Sequence, residues 1–125
     1  MLTIDTNILI AYIGGEEVIV NRIKEWREKG VILFVSSITE CELLSYPRLS
    51  QEEEGTIERL IREHFTTVPF DSVRARKAAA IRRMLPSLKL PDAAIGALAL
   101  ETKTALVTRN IRDFKKIPSL EVVRL

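Results

Sequence analysis

The 125-residue chain has one cysteine, Cys41, and one histidine, His64. A single cysteine cannot form an internal disulfide, and these two residues do not make up the Cys and His set of a zinc site. Any metal site must therefore be built from oxygen ligands. Aromatic residues are also scarce, at 6%, so few side chains are available for stacking against the bases of a single-stranded nucleic acid.

Long hydrophobic runs are missing as well. The longest, Ile8 to Ile13 and Val31 to Val35, fall far short of the roughly 20 residues that a membrane-spanning helix needs. No Lys or Arg precedes Arg22, whereas a secretory signal begins with a basic segment. We therefore expect a cytoplasmic protein without a membrane segment. The length and the balance of 46% apolar to 29% charged residues predict a single folded domain over residues 1–125.

Charge is divided unevenly between the two halves of the chain. Residues 1–64 carry 7 Lys and Arg against 12 Asp and Glu, and residues 65–125 carry 12 against 5. One interpretation places a basic face beside an acidic one, which suits a protein that holds a polyanion against a metal site. The alternative is that these charges lie on ordinary solvated helix faces.

Short apolar runs alternate with longer helical patterns along the whole chain. Strands are predicted over residues 1–5, 31–35, 66–69, 105–108 and 121–124. Helices are predicted over residues 6–13, 16–29, 37–47, 50–64, 71–85 and 92–102. This alternation predicts an α/β fold, a three-layer α/β/α sandwich with a central parallel sheet.

Four acids stand near the carboxyl ends of predicted strands, where open parallel sheets bind ligands. Asp5 ends the first strand, and Glu42 lies in the helix after the second. Asp92 begins the helix before the fourth strand, and Asp113 follows that strand. Each also has an ordinary structural explanation, because Asp5 and Asp92 suit helix N-termini, Glu42 suits a solvated helix edge, and Asp113 can cap a turn or pair with Arg112.

Glu40 receives a different interpretation from Glu42. The segment Ser37-Ile38-Thr39-Glu40 matches a capping box, in which the Ser and Glu side chains satisfy the first N–H groups of a helix. We therefore expect Glu40 to stabilise a helix start. Glu42 borders the face that should pack inward, where a lone carboxylate is costly, and this favours a functional role.

Converging carboxylates require a counter-charge. Two of them about 5 Å apart repel by about 3 kcal/mol at an effective dielectric near 20. Ligation by oxygen alone suits Mg²⁺ or Mn²⁺, which bind through a few carboxylates, waters and substrate phosphate. Such an ion lowers the pKa of a water and neutralises charge on a phosphate, so no nucleophilic Ser, Cys or His is needed.

Four segments, in this order, closely resemble the PIN-domain ribonucleases and most of all their VapC-like toxin branch. They are LTIDTN at 2–7, SSITECEL at 36–43, LPDAAI at 90–95 and LVTRNIRDF at 106–114. The resemblance implies a site that hydrolyses RNA phosphodiesters through a metal-activated water. By the same resemblance, the catalytic acids and ligands of Mg²⁺ or Mn²⁺ are Asp5, Glu42, Asp92 and Asp113. The supporting polar groups are Thr6, Asn7, Thr108 and Asn110.

The fourth acid is left open by the resemblance, since many relatives carry it at the position of Asn110 and others at that of Asp113. The family also implies a homodimer and, for its toxins, a small antitoxin whose tail enters the acidic groove. Basic residues near the predicted site are candidates for RNA phosphate contacts, which give affinity without sequence preference. They are Lys89, Arg109, Arg112, Lys115 and Lys116.

Three other functions fit parts of the sequence. One is a stand-alone PIN nuclease that matures or degrades cellular RNA, and the motifs do not separate it from a toxin. Another is a catalytically inactive module that binds RNA or protein. The third, a phosphatase with Asp5 as phosphoryl acceptor, is disfavoured because Asn7 stands where such enzymes carry a second Asp.

Overall fold

The computed structural model describes all residues from 1 to 125 and contains five strands and seven helices. The strands are β1 (Leu2–Ile4), β2 (Leu33–Ser36), β3 (Thr66–Val68), β4 (Ala105–Thr108) and β5 (Val122–Arg124). The helices are α1 (Thr6–Ile13), α2 (Glu17–Glu28), α3 (Ser37–Leu43), α4 (Gln51–His64), α5 (Ser72–Met84), α6 (Leu90–Thr102) and α7 (Ile111–Phe114). None of the helices is long and apolar enough to span a membrane.

All five strands are parallel and lie in the order β3-β2-β1-β4-β5. The chain builds the sheet outward from β1 in one direction and then places β4 on the other side of β1. Strand order therefore reverses between β1 and β4, and a crevice opens at the carboxyl ends of these two strands. Their register pairs Ile4 with Val107, so the next residues, Asp5 and Thr108, emerge side by side at the crevice.

Helices cover both faces of the sheet. Successive strand residues point to opposite faces, and β4 shows this directly. Val107 belongs to an apolar cluster shared with α1, α2, α3 and α4, whereas Leu106 belongs to a second cluster shared with α5, α6 and α7. The predicted three-layer α/β/α sandwich with a parallel central sheet is confirmed.

Helix α6 lies against the middle of the sheet and contacts β1, β2 and β4. All its residues from Ala93 to Ala99 are buried, and most of them are small. A Cβ atom built on Gly96 would lie 2.6 Å from the Ile117 Cδ1 atom, so the segment after α7 rests directly on this helix. The close packing holds the first turn of α6, which contains Asp92, against the end of the sheet.

Most predicted elements are confirmed to within two residues at each end, and two differ more. The helix predicted to reach Pro47 ends at Leu43. Pro47 disfavours helical backbone at Tyr46, and the Ser45 hydroxyl donates a hydrogen bond to the Cys41 carbonyl in the last turn. The four-residue helix α7 was not predicted, because one turn is too short to show helical periodicity.

The capping box predicted at Ser37 and Glu40 is wrong. The N-cap of α3 is Ser36, whose Oγ atom accepts a hydrogen bond from the Ile38 N–H group at 3.1 Å. The Ser37 hydroxyl oxygen is instead the acceptor for the Phe70 N–H group at 2.8 Å. The first turn of α3 thus has a cap one residue earlier than predicted, and the Ser37 side chain bonds a neighbouring segment.

A capping box is present at the start of α4, where the Ser50 and Glu53 side chains each accept a hydrogen bond from the other residue's N–H group. We predict that Ser50→Ala lowers the free energy of unfolding by about 1 kcal/mol, because it leaves an N–H group of the first turn without a partner. Urea unfolding measures this change. Glu40→Gln is the control, with an expected change below about 0.5 kcal/mol, and a larger loss in Glu40→Gln than in Ser50→Ala would contradict the assignment.

Candidate metal site at the centre of the sheet

Asp5 directly follows β1 and is only 4% exposed. Its Oδ1 atom accepts a hydrogen bond from the Thr6 N–H group at 2.8 Å, and its Oδ2 atom accepts one from the Thr108 hydroxyl at 2.6 Å. Asp5 therefore caps α1, as the ordinary explanation held, and is also fixed from β4. Each carboxylate oxygen has further acceptor capacity, so capping does not prevent Asp5 from binding a cation.

The pKa of Asp5 lies above its ordinary value. Burial is the main cause, since it disfavours the charged form, and the nearby negative charge of Glu42 acts in the same direction. The hydrogen bonds from Thr108 and Thr6 oppose this rise. The ionised carboxylate of Asp5 is thus held in an environment with too little positive charge.

Glu42 lies on α3 and is exposed, as a residue at the edge of the packed face can be. Its position is nevertheless defined, because its Oε1 atom accepts a hydrogen bond from the Thr6 hydroxyl at 2.7 Å. Thr6 is the first residue of α1, and its N–H group is bound to Asp5. One residue therefore contacts both acids.

Asp113 and Asn110, the two candidates for the position of the fourth acid, belong to the same hydrogen-bonded group. The Thr108 hydroxyl oxygen accepts a hydrogen bond from the Asn110 N–H group at 2.9 Å. The Asn110 Nδ2 atom in turn donates to Asp113 Oδ2 at 3.1 Å. Asn110 thus links the end of β4 to Asp113, and the acid and the amide are neighbours in the site.

Asn7, the last of the four predicted supporting residues, makes longer contacts. Its Nδ2 atom lies 3.5 Å from the Thr108 Oγ1 atom, and its Oδ1 atom accepts from the Arg109 N–H group at 3.4 Å. The structure therefore brings all four supporting residues into contact with one another or with the acids. They connect the start of α1 to the end of β4.

Asp92 lies in the first turn of α6 and is partly buried. Its pKa is raised to about 6, first by burial and then by the negative charges of Asp5, Asp113 and Glu42, in that order. The positive charge of Lys89 opposes the rise only in part. The negative charges of the three other predicted acids thus all act on Asp92.

The four acids do not form a closed metal cage. No three Asp, Glu, His or Cys side chains lie close enough together to hold one ion by direct bonds. This arrangement still fits Mg²⁺ or Mn²⁺, since Mg²⁺ keeps several waters and uses only one or two carboxylates with substrate phosphates. The excess negative charge that raises the pKa of Asp92 and the oxygen-only donor set both match a hard divalent cation.

A small cavity of about 60 Å³ lies beside the acids. Its lining is formed by Leu85, Ser87, Leu88, Lys89, Asp92, Asp113 and Lys116. Two of the basic residues predicted to contact RNA phosphates thus lie next to two of the acids. A more voluminous apolar groove of about 550 Å³, lined in part by Ile13, Leu49 and Ile57, contains no member of the acid cluster. Charge and hydrogen bonding, and not volume, therefore locate the candidate site.

The other basic candidates differ in whether their side chains are bonded within the protein. The Arg109 guanidinium forms a two-pronged ion pair with Glu16 and donates through Nε to the Leu125 carbonyl at 3.1 Å. It is therefore engaged within the protein. Arg112 and Lys115 are exposed on and after α7, on the segment that carries Asp113.

One polar residue of the site escaped prediction. Thr39 is fully buried, and its hydroxyl lies 3.0 Å from that of Thr6. In the sequence Thr39 lies within the segment interpreted as a capping box, between the two residues predicted to form it, and no role was predicted for it. Its contact with Thr6 joins residues 33 positions apart, so no local pattern in the sequence indicates it.

This fold and this set of residues belong to a known family. The family model described as PIN domain matches residues 2–120, and the chain is a member of the PIN-domain family. No curated protein sequence gives a significant match.

Solved structures of toxin–antitoxin complexes have the same fold. VapBC2 from Rickettsia felis, bound to a DNA fragment from its promoter, superimposes with a TM-score of 0.82 at 21% identity over 99% of this chain and 98% of that chain. A toxin–antitoxin complex from Klebsiella pneumoniae gives 0.78 at 30% identity over 98% and 96%. DNA-bound VapBC from Salmonella typhimurium gives 0.79 at 24% identity over 99% and 98%. The chain thus shares the fold of all three structures, of which the one at 30% identity is described as a toxin–antitoxin complex.

The raised pKa of Asp92 predicts how stability depends on pH in the absence of divalent ions. Between the ordinary value of 3.8 and about 6, the folded protein binds more protons at Asp92 than the unfolded chain does. The contribution of Asp92 to stability therefore falls as pH rises through this window. At pH 7 the cost is about 1–2 kcal/mol, after the shift is discounted for partial exposure.

Asp92→Asn removes this cost, so in EDTA we predict that the variant is more stable than the wild type by about 1–2 kcal/mol at pH 7. The difference should nearly vanish near pH 3, below both pKa values, where Asp92 is protonated in both states. Urea unfolding at the two pH values measures it. A gain that is the same at both pH values would mean that the charge of Asp92 is not its cause.

Proposed function

We propose that the protein is an endoribonuclease dependent on Mg²⁺ or Mn²⁺, and the toxin of a toxin–antitoxin pair. Membership of the PIN-domain family and the fold shared with VapBC complexes support this class of function. The observation that carries the proposal is that burial and nearby negative charge raise the pKa of Asp92, which lies beside two lysines and within a group of four acids. They are Asp5, Glu42, Asp92 and Asp113.

In this proposal the four acids hold the cation, directly or through its waters. A divalent ion bound there lowers the pKa of a nearby water and neutralises charge on the phosphate under attack. The protein's own groups set the geometry, because Thr108 and the Thr6 N–H group orient Asp5 and Asn110 orients Asp113. Asp92, whose pKa is raised to about 6, would help to hold the cation in its ionised form.

Lys89 and Lys116 are proposed to bind the phosphates of the RNA chain that flank the scissile bond. Both line the cavity next to Asp92 and Asp113, and Lys116 Nζ lies 3.8 Å from Asp113 Oδ1. Hydrolysis forms a bond from the water oxygen to phosphorus and breaks the bond from phosphorus to the 3′ oxygen. That leaves a 5′ phosphate on one fragment and a protonated 3′ hydroxyl on the other.

We also propose a small antitoxin partner, a homodimer and action in the cytoplasm, where RNA substrates are found. The Klebsiella relative, at 30% identity, is described as a toxin–antitoxin complex, which supports the first of these. Co-expression with the product of an adjacent small gene should relieve any growth arrest that this chain causes. Growth unaffected by expression, in a protein that cleaves RNA in vitro, would favour a stand-alone processing nuclease.

The primary test of the nuclease proposal is Asp5→Asn. We predict that cleavage of RNA in Mg²⁺ or Mn²⁺ falls by about 100-fold or more, because a buried ligand charge is lost while its hydrogen-bonding shape is kept. EDTA should abolish wild-type cleavage. Product ends can be identified by labelling 5′ phosphates and 3′ hydroxyls. Cleavage that persists in EDTA, or an Asp5→Asn variant of full activity, would refute the mechanism.

Glu42 and Glu40 provide a matched pair on one helix. We predict that Glu42→Gln reduces cleavage by about 10-fold or more, since its carboxylate faces Asp5 through Thr6. Glu40→Gln should leave cleavage within about twofold of wild type, because Glu40 has no such link to the acids. Initial rates at saturating Mn²⁺ compare the two variants. Equal losses in both variants would show that cleavage depends on the overall negative charge of this helix and not on the specific position of Glu42.

A further inference from the structure

Three side chains join the surface of the candidate site to the core of the protein. Glu42 is exposed on α3, and its Oε1 atom accepts the hydroxyl of Thr6 at 2.7 Å. The Thr6 Oγ1 atom lies 3.0 Å from the Oγ1 atom of Thr39. Thr6 is 8% exposed and Thr39 is fully buried. The exposed fraction of the side chain thus decreases along this hydrogen-bonded series, from Glu42 through Thr6 to Thr39.

The direction of these hydrogen bonds follows from counting protons. A threonine hydroxyl has one proton to donate, and an ionised carboxylate has none. The proton of Thr6 is directed at Glu42, so it is not available to Thr39. In the contact between the two hydroxyls, Thr39 must therefore be the donor and Thr6 the acceptor.

We propose that Thr39 is a positioning residue for the metal site, and that it acts through Thr6 on Glu42. This inference rests on the proposed function. Glu42 is exposed, and the hydrogen bond from Thr6 holds its carboxylate beside the residue that also bonds Asp5. Thr39 supplies that fixation, because its buried hydroxyl sets the rotation of the Thr6 hydroxyl and strengthens the bond that Thr6 donates.

Water cannot take over this role. Thr39 has no exposed surface, so its hydroxyl cannot be replaced by a solvent molecule when it is removed. Thr6 also donates its N–H group to Asp5, so Thr6 connects two of the four acids. A change at Thr39 therefore reaches a ligand position without touching the cation or the substrate.

A second buried threonine pair provides a matched control. Thr3 and Thr104 are hydrogen bonded through their hydroxyls at 2.6 Å and have no bond to any of the acids. Replacing Thr104 by Val removes a buried hydroxyl of the same type at 7% exposure. A residue with a purely structural role should behave like Thr104.

The test measures Mn²⁺ binding through the electron paramagnetic resonance signal of free Mn²⁺, without any RNA. We expect Thr39→Val to weaken binding about 10-fold, as loss of a group that orients a metal ligand commonly does. Thr39→Ser, which keeps the hydroxyl, should bind within about twofold of wild type, and Thr104→Val should bind like wild type. Binding by Thr39→Val that equals wild type, or an equal loss in Thr104→Val, would overturn the proposal.

Two additions make the outcome decisive. Thr39→Ala removes the same hydroxyl with a different shape, and circular dichroism with urea unfolding shows which variants are folded. In a Thr6→Val background the intermediate group is gone, so Thr39→Val should cause no further loss; independent, additive losses would contradict action through Thr6. A wild type that binds no Mn²⁺ refutes the proposed function itself, whereas normal binding by wild type and by Thr39→Val refutes only the role of Thr39.

Discussion

The hydrogen bond from the Thr108 hydroxyl to Asp5 joins the carboxyl ends of β1 and β4, the two strands between which the strand order reverses. It places an acid from the first strand and a polar loop from the fourth in one crevice. The positions of Asn110 and Asp113 also depend on Thr108, because the same Thr108 oxygen accepts a hydrogen bond from the Asn110 N–H group. The geometry of the site thus depends on the pairing of β1 with β4. The paired residues of these two strands are about a hundred positions apart in the sequence.

The site is built at the expense of stability. Burial and like charges raise the pKa of Asp5 and of Asp92, so the protein holds carboxylates where they are difficult to ionise. Nearby cations do not remove the conflict, since Lys89 compensates only in part and Arg109 is paired with Glu16. A cation bound at a cluster of this kind would remove part of this cost in free energy, and folding would then be coupled to metal binding.

Much of the fold was predictable because its strands and helices have strong periodicity and clear stops. The positions of Asp5 and Asp92 were predictable for a similar reason, since Asp5 directly follows a strand and Asp92 lies in the first turn of a helix. The capping of α3 was assigned one residue late because Ser36 and Ser37 both suit an N-cap, and only the contact between Ser37 and Phe70 distinguishes them. Tertiary contacts of this kind, including those of Thr39 and Arg109, leave no local pattern in the sequence.

The close approach between Gly96 and Ile117 has a consequence for how the crevice responds to change. Ile117 lies three residues after α7, and α6 carries Asp92 in its first turn, so both segments contribute an acid to the lining of one cavity. Two acids on separate elements, Asp92 and Asp113, are therefore mounted on a single packed unit. Their spacing depends on the hydrophobic core, so it can change through apolar substitutions that never touch an acid.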